Sequence, residues 1–167
     1  MLEILKSRRS IRNFNSGTVE YKIIEDILDA GMHAPSARNQ QPWHFIVITE
    51  KEKMDTLSEI HPYAQMLKTA AACIIVCADL NLEKSQGYSA IDCAAATQNI
   101  LLAAHSFKLG SVWLGVYPRE ERMTAMSSLL SLPEHVFAFS MIAIGYPNEN
   151  PVATGRFKPE RIHYQGW

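Results

Sequence analysis

Apolar residues recur along the chain with two different periods, and the switches between them lay out the elements. In residues 20–32, Ile23, Ile24, Ile27, Leu28 and Met32 fall at helical spacing, which predicts an amphipathic helix ended by Gly31 and Pro35. Residues 44–49 (HFIVIT) read as a strand. Thr49 with Glu52 then predicts a capping box for a helix carrying Met54, Leu57 and Ile60, closed by Pro62. A second short helix is expected over 63–69, and a helical turn over 2–6. The unbroken apolar run 71–78 (AACIIVCA) predicts an internal strand. Met123, Met126, Leu129 and Leu130 mark a helix over 119–130. Residues 136–144 read as the last core strand, closed by Gly145-Tyr146-Pro147.

Between these lies the stretch that organises the rest, residues 88–118. Ala90, Ile91, Ala94, Ala95, Ala96, Ile100, Leu101, Leu102, Ala103 and Ala104 make a helix apolar on nearly every face. Such a helix is buried on most sides, either in a large core or against another subunit. Ser89 and Asp92 predict a capping box at its start, and Gly110 its end. Residues 111–116 then read as a buried strand interrupted by Gly115, a place for close backbone approach.

Four core strands and a large helical share predict an α+β fold in one domain spanning 1–167, with helices packed on a small sheet. Sixteen basic against seventeen acidic residues leave no electrostatic case for nucleic acid or an anionic membrane. No 18-residue apolar window suggests a membrane span, and the N-terminus lacks the apolar core of a signal peptide. Cys73, Cys77 and Cys93 are odd in number and sit among apolar neighbours, as buried thiols of a cytoplasmic protein do. No G-x-G-x-x-G, P-loop or G-x-S-x-G is present, and the six histidines form no ligand pair, so no metal is expected. Catalysis would then fall to a bound organic cofactor.

Three polar segments remain. Ser7-Arg8-Arg9-Ser10-Ile11-Arg12 packs three arginines and two serines into six residues: an anion-binding set, or a solvated basic turn. Residues 34–43 (APSARNQQPW) form a loop rich in hydrogen-bonding side chains between two prolines. The tail, 148–167, has Arg156, Lys158 and Arg161 with few core-type residues, and ends in His163, Tyr164 and Trp167, which favour a partner.

Residues 7–14 (SRRSIRNF), 34–45 (APSARNQQPWHF), 110–115 (GSVWLG), Gly145-Tyr146-Pro147 and Arg156-Phe157-Lys158-Pro159 together resemble the FMN-dependent nitroreductase family, in the right order and over essentially the whole chain. The resemblance implies a small, mainly antiparallel sheet surrounded by helices. It also implies a homodimer with FMN at the subunit interface and the tail extending onto the partner. Arg8, Arg9 and Ser10 match residues that hold the flavin's phosphate and ribityl chain; Arg12 matches one on the pyrimidine side. Pro35, Ser36, Ala37 and Asn39 match the loop supplied by the other subunit. Trp113, Leu114 and Gly115 match the segment whose backbone approaches flavin N5, and Arg156 and Lys158 match a basic pair that closes over the phosphate. A contact near 63–66, common in the family, has no clear match.

The implied activity is ping-pong hydride transfer from NADH or NADPH through FMN to a small aromatic acceptor such as a nitroaromatic or quinone, with no indispensable protein base. Arg12 would favour the negative charge that two-electron reduction leaves on the ring. The chain is short for the family and lacks an evident lid insertion. Alternatives are a specialised flavin enzyme of the same fold (dehydrogenase, dehalogenase or flavin-destroying), a non-catalytic flavin-binding dimer, or an anion-binding interaction module.

Overall fold

The computed structural model describes residues 1–152 and 154–167. Its elements are α1 (Leu2–Ser7), β1 (Phe14–Asn15), α2 (Tyr21–Met32), β2 (Trp43–Ile48), α3 (Lys51–Ile60), β3 (Ala72–Asp79), α4 (Gln86–Ser106), β4 (Gly110–Gly115), α5 (Glu120–Leu130) and β5 (Val136–Pro147). Short 3-10 turns occupy Ala37–Asn39, Gln65–Lys68 and Pro159–Arg161.

All four strand pairings are antiparallel, which gives the α+β architecture read from the sequence. β5 is the hub: it pairs with β3, which pairs outward with β2, and it also pairs with β4 and with the short β1. All eight residues of β3 are buried, as its unbroken apolar run requires. Its side chains alternate between two layers. Ala72, Ile74, Val76 and Ala78 join Ile24 and Ile27 of α2 and Cys93, Ala96, Ile100 and Leu101 of α4. Cys73, Ile75 and Cys77 join Met54 and Leu57 of α3, Leu67, and Met126 of α5.

Helix α4 spends only part of its apolar surface on this core. Cys93, Ala96, Ile100 and Ala104 are fully buried, while Ile91 is 65% exposed and Tyr88 is also exposed. The all-round apolarity of the sequence therefore describes two faces, one on the sheet and one open.

Several boundaries differ from the sequence expectation. α4 begins at Gln86, where the Ser85 hydroxyl caps the helix by accepting from the Tyr88 N–H. Ser89 and Asp92 lie inside the helix and are buried: Ser89 donates to Gln86 O and Asp92 accepts from the Ala37 N–H. The helix ends at Ser106, and Lys108 supplies the left-handed residue (φ 61°) expected of Gly110, which instead opens β4. Gly115 ends β4 rather than interrupting it. α3 starts after Glu50 without a side-chain cap, so the Thr49–Glu52 box does not form. The segment expected as a helix over 63–69 is a single 3-10 turn. β1 was unforeseen, and β5 runs on to Pro147 to pair with it. Among the described residues, no helix is long and apolar enough to cross a membrane.

Candidate active site

The basic turn leaves α1 and runs across the start of β4. Ser10 bridges Ser111, and the Ile11 N–H donates to Ser111 O at 3.0 Å while its side chain enters the core. That anchoring holds Arg8 and Arg9 beside the C-terminal end of α4. The Arg8 guanidinium is pushed below its ordinary pKa by burial and then by the charges of Arg156 and Arg9. His105, near the end of α4, is lowered by burial and then by Arg8 and Arg9; its Nε2 lies 2.8 Å from Ser7 Oγ. Among the described residues, Arg8, Arg9, Arg12, Arg156 and Lys158 make no ion pair with a carboxylate. Arg9 instead donates to the backbone carbonyls of Lys6 and Arg8. Arg12 is exposed, and the Glu149 carboxylate accepts from its backbone N–H and from that of Asn13. Cations gathered without a counterion raise one another's energy, and an anion relieves it.

The 35–39 loop is built differently. Arg38, Asn39 and Gln41 all take positive φ (53°, 57° and 49°), a conformation costing roughly 1–2 kcal/mol for a non-glycine residue. Tertiary bonds offset that strain. Ser36 Oγ accepts from the Gln41 N–H at 3.0 Å, Asp92 Oδ1 accepts from the Ala37 N–H at 3.0 Å, and Arg38 ion-pairs with the buried carboxylate of Glu83. The loop is thus pinned to the start of α4. Asp92 and His105 stand thirteen residues apart on that helix, about 20 Å at 1.5 Å per residue. Within one chain, then, the structure brings together Arg8, Arg9, Ser10 and Arg156 but leaves Pro35, Ser36, Ala37 and Asn39 at the opposite end of α4.

At the far end of β4, Trp113 is half-buried with its ring 5.7 Å from Phe139, Leu114 is buried, and Gly115 is exposed. A Cβ added to Gly115 would meet no atom of the chain within 4 Å, and no glycine has positive φ. Neither packing nor backbone conformation within this chain explains a glycine there. Its carbonyl accepts from His61 Nε2 at 2.9 Å and from Arg122 Nη1 at 2.7 Å. β4 connects this point to Ser111, about 14 Å away at some 3.4 Å per residue.

The sequence model of the nitroreductase family matches residues 5–61 and 61–146. The chain belongs to the nitroreductase family. A relative from Methanothermobacter thermautotrophicus, with the provisional name NADH dehydrogenase/NAD(P)H nitroreductase, is 50% identical over all of this chain and 87% of its own length. A solved structure from Parabacteroides distasonis with the same provisional name superposes with a TM-score of 0.95 at 38% identity, covering 99% of this chain and 98% of that one. The structure of an FMN-dependent nitroreductase from Clostridium difficile R20291 superposes at 0.92 with 31% identity, over the full length of both.

Membership in the nitroreductase family does not exhaust the site. His61, Arg122, Arg38, Glu83, Asp92 and His105 all hold parts of the candidate site and were not read as site residues in the sequence. A lone histidine after a helix, or one arginine on an amphipathic helix, has no spacing partner to mark it. Only Arg38 carried a signal, since it lies within the polar loop already singled out.

Proposed function

We propose that the protein is an FMN-dependent NAD(P)H oxidoreductase acting on small aromatic acceptors such as nitroaromatics or quinones, and working as a homodimer. The observation that carries this reading is the cluster of Arg8, Arg9 and Arg156, half-buried in part and with like charges close together, none of which ion-pairs with a carboxylate among the described residues. That donor set fits a phosphate monoester. The open space over Gly115, at the other end of β4, fits a flat ring laid against backbone.

Arg8, Arg9 and Ser10 would hold the phosphate and ribityl chain, with Arg156 and Lys158 closing over them. Arg12 would face the pyrimidine edge, and Trp113, Leu114 and Gly115 would back the ring. Bound there, FMN supplies two-electron exchange between NAD(P)H and an acceptor. Arg12 contributes a fixed positive charge, and the exposed Gly115 face leaves room for one flat molecule at a time. Donor and acceptor would therefore use the site in turn, in keeping with a sequence that has no separate dinucleotide-binding motif.

Pro35, Ser36, Ala37 and Asn39 lie about 20 Å along α4 from the basic cluster, so they complete the site only when a second copy supplies them. The exposed Ile91 and Tyr88 are the surface such a copy would cover. Three free, buried cysteines support a cytoplasmic location, where thiols persist.

The test is a visible absorption spectrum of the purified protein before and after anaerobic NADH or NADPH. Flavin bands that bleach are expected. Bands that persist would make the protein a flavin carrier or a relative with another reductant, and a protein that takes up no FMN would end this reading.

A further inference from the structure

The Gly115 carbonyl is gripped by two side chains from different elements: His61, just after α3, and Arg122, on α5. His61 is only 2% exposed. Its Nδ1 accepts from the Tyr63 N–H at 3.2 Å, which leaves the ring proton on Nε2, aimed at Gly115 O. His61 Nε2 and Arg122 Nη1 lie 3.2 Å apart as two donors converging on one acceptor. Burial above all holds the imidazole below its usual pKa; the Gly115 hydrogen bond opposes that shift and the Arg122 charge adds to it. Arg122 makes no ion pair with a carboxylate among the described residues, and its guanidinium lies 5.9 Å from the Tyr63 ring centroid. A cation has been committed to a backbone carbonyl.

The position explains the commitment. Just past Gly115 the β4–β5 ladder breaks its register: the N–H groups of Val116 and Tyr117 both donate to Phe139 O, at 3.2 and 3.0 Å. A glycine at such a point is free to turn. Here the peptide between Gly115 and Val116 is held at its carbonyl by His61 and Arg122 and at its N–H by Phe139.

We propose that His61 and Arg122 are positioning residues that lock the Gly115 peptide so that its open face is presented to the flavin ring. This rests on the reading of FMN binding above. Neither side chain needs to touch the cofactor: each acts through Gly115, and the fixed Arg122 charge adds to the positive potential behind the ring.

The deciding variants are Arg122→Gln, on a half-buried site that tolerates the change, and His61→Phe, which keeps the ring but removes the donor; Arg122→Lys and His61→Gln are the conservative partners. FMN dissociation constants, the flavin's midpoint potential and the 15N shifts of His61 in the FMN-free protein are measured. Arg122→Gln should weaken FMN about tenfold, the scale of one charge-assisted hydrogen bond, and move the potential to a more negative value. Arg122→Lys should largely restore the potential. In the FMN-free protein, Arg122→Gln should raise the His61 pKa. His61→Phe should weaken FMN, and His61→Gln should recover it. A wild-type protein that holds FMN, with a folded Arg122→Gln variant unchanged in both affinity and potential, overturns this inference alone. A wild-type protein that binds no FMN overturns it together with the function proposed above.

Discussion

Gly31 of α2 faces Ile100 of α4 so closely that a Cβ on the glycine would lie 2.8 Å from Ile100 Cγ1. Ile100 is fully buried between α4 and the sheet, so its branch has nowhere to retreat. The contact sets the distance at which α2 docks on α4, and the 35–39 loop follows directly from the end of α2. Gly31→Ala should destabilise the fold by about 1–3 kcal/mol, the usual cost of overpacking a filled core. A lower denaturant midpoint with an unchanged slope would confirm it; an unchanged midpoint would show that the helices separate freely.

The Arg38–Glu83 pair gives the loop a pH dependence whose sign can be worked out. The Glu83 carboxyl is held below its ordinary value of 4.5, first by the Ser85 N–H and then by Arg38. A depressed folded-state pKa contributes stability that is present above the unfolded value and is lost as pH falls through the folded one. The Glu83 contribution to FMN retention should therefore be whole from neutral pH down to about 4.5 and decline below it, until pH has passed the lower folded value. Glu83→Gln should abolish the Glu83 share of that acid loss. Retention that is independent of Glu83 throughout the acid range would detach the loop from this anchor.

The three thiols provide a separate check. Burial pushes Cys73 and Cys77 up to about 12, and Cys93 higher still. Since the thiolate is the reactive form, none should react with an aromatic disulfide reagent at pH 8 in the folded protein, and all three should react once it is unfolded. A thiol that titrates rapidly in the native state would mean that the sheet opens far more readily than its packing implies.

The strands of the sheet were legible because unbroken apolar runs such as 71–78 have no other stable home. β1 was not, since two residues in a polar setting become a strand only by pairing with Tyr146 and Pro147. Ser89 and Asp92 misled for a physical reason: a capping-box pattern and a buried polar pair look alike until the tertiary partner, here the Ala37 N–H, is known. In the site, the arginine turn and the 34–43 loop were readable as donor-rich segments. Their separation along α4 was not, because it depends on which end of one helix each segment docks against. His61 and Arg122 were invisible for a related reason: their acceptor is a backbone carbonyl, which has no residue signature.

The tail makes the sharpest demand on the proposed dimer. Val152, Phe157, Ile162, Tyr164 and Trp167 are all exposed in the single chain, with His163 and Trp167 stacked at 4.3 Å, while Arg156 reaches back to the charge of Arg8. One segment thus combines an uncovered apolar surface with a cation at the basic cluster. Removing residues 150–167 should take away both the dimer contact and part of the anion site. The truncated protein is expected to elute as a monomer from a sizing column and to lose its flavin absorbance. Replacing Arg156 and Lys158 by Gln in the full chain separates the two effects, since it should weaken FMN while leaving the dimer intact. A truncated protein that stays dimeric and yellow would show that the tail neither embraces a partner nor closes over the phosphate.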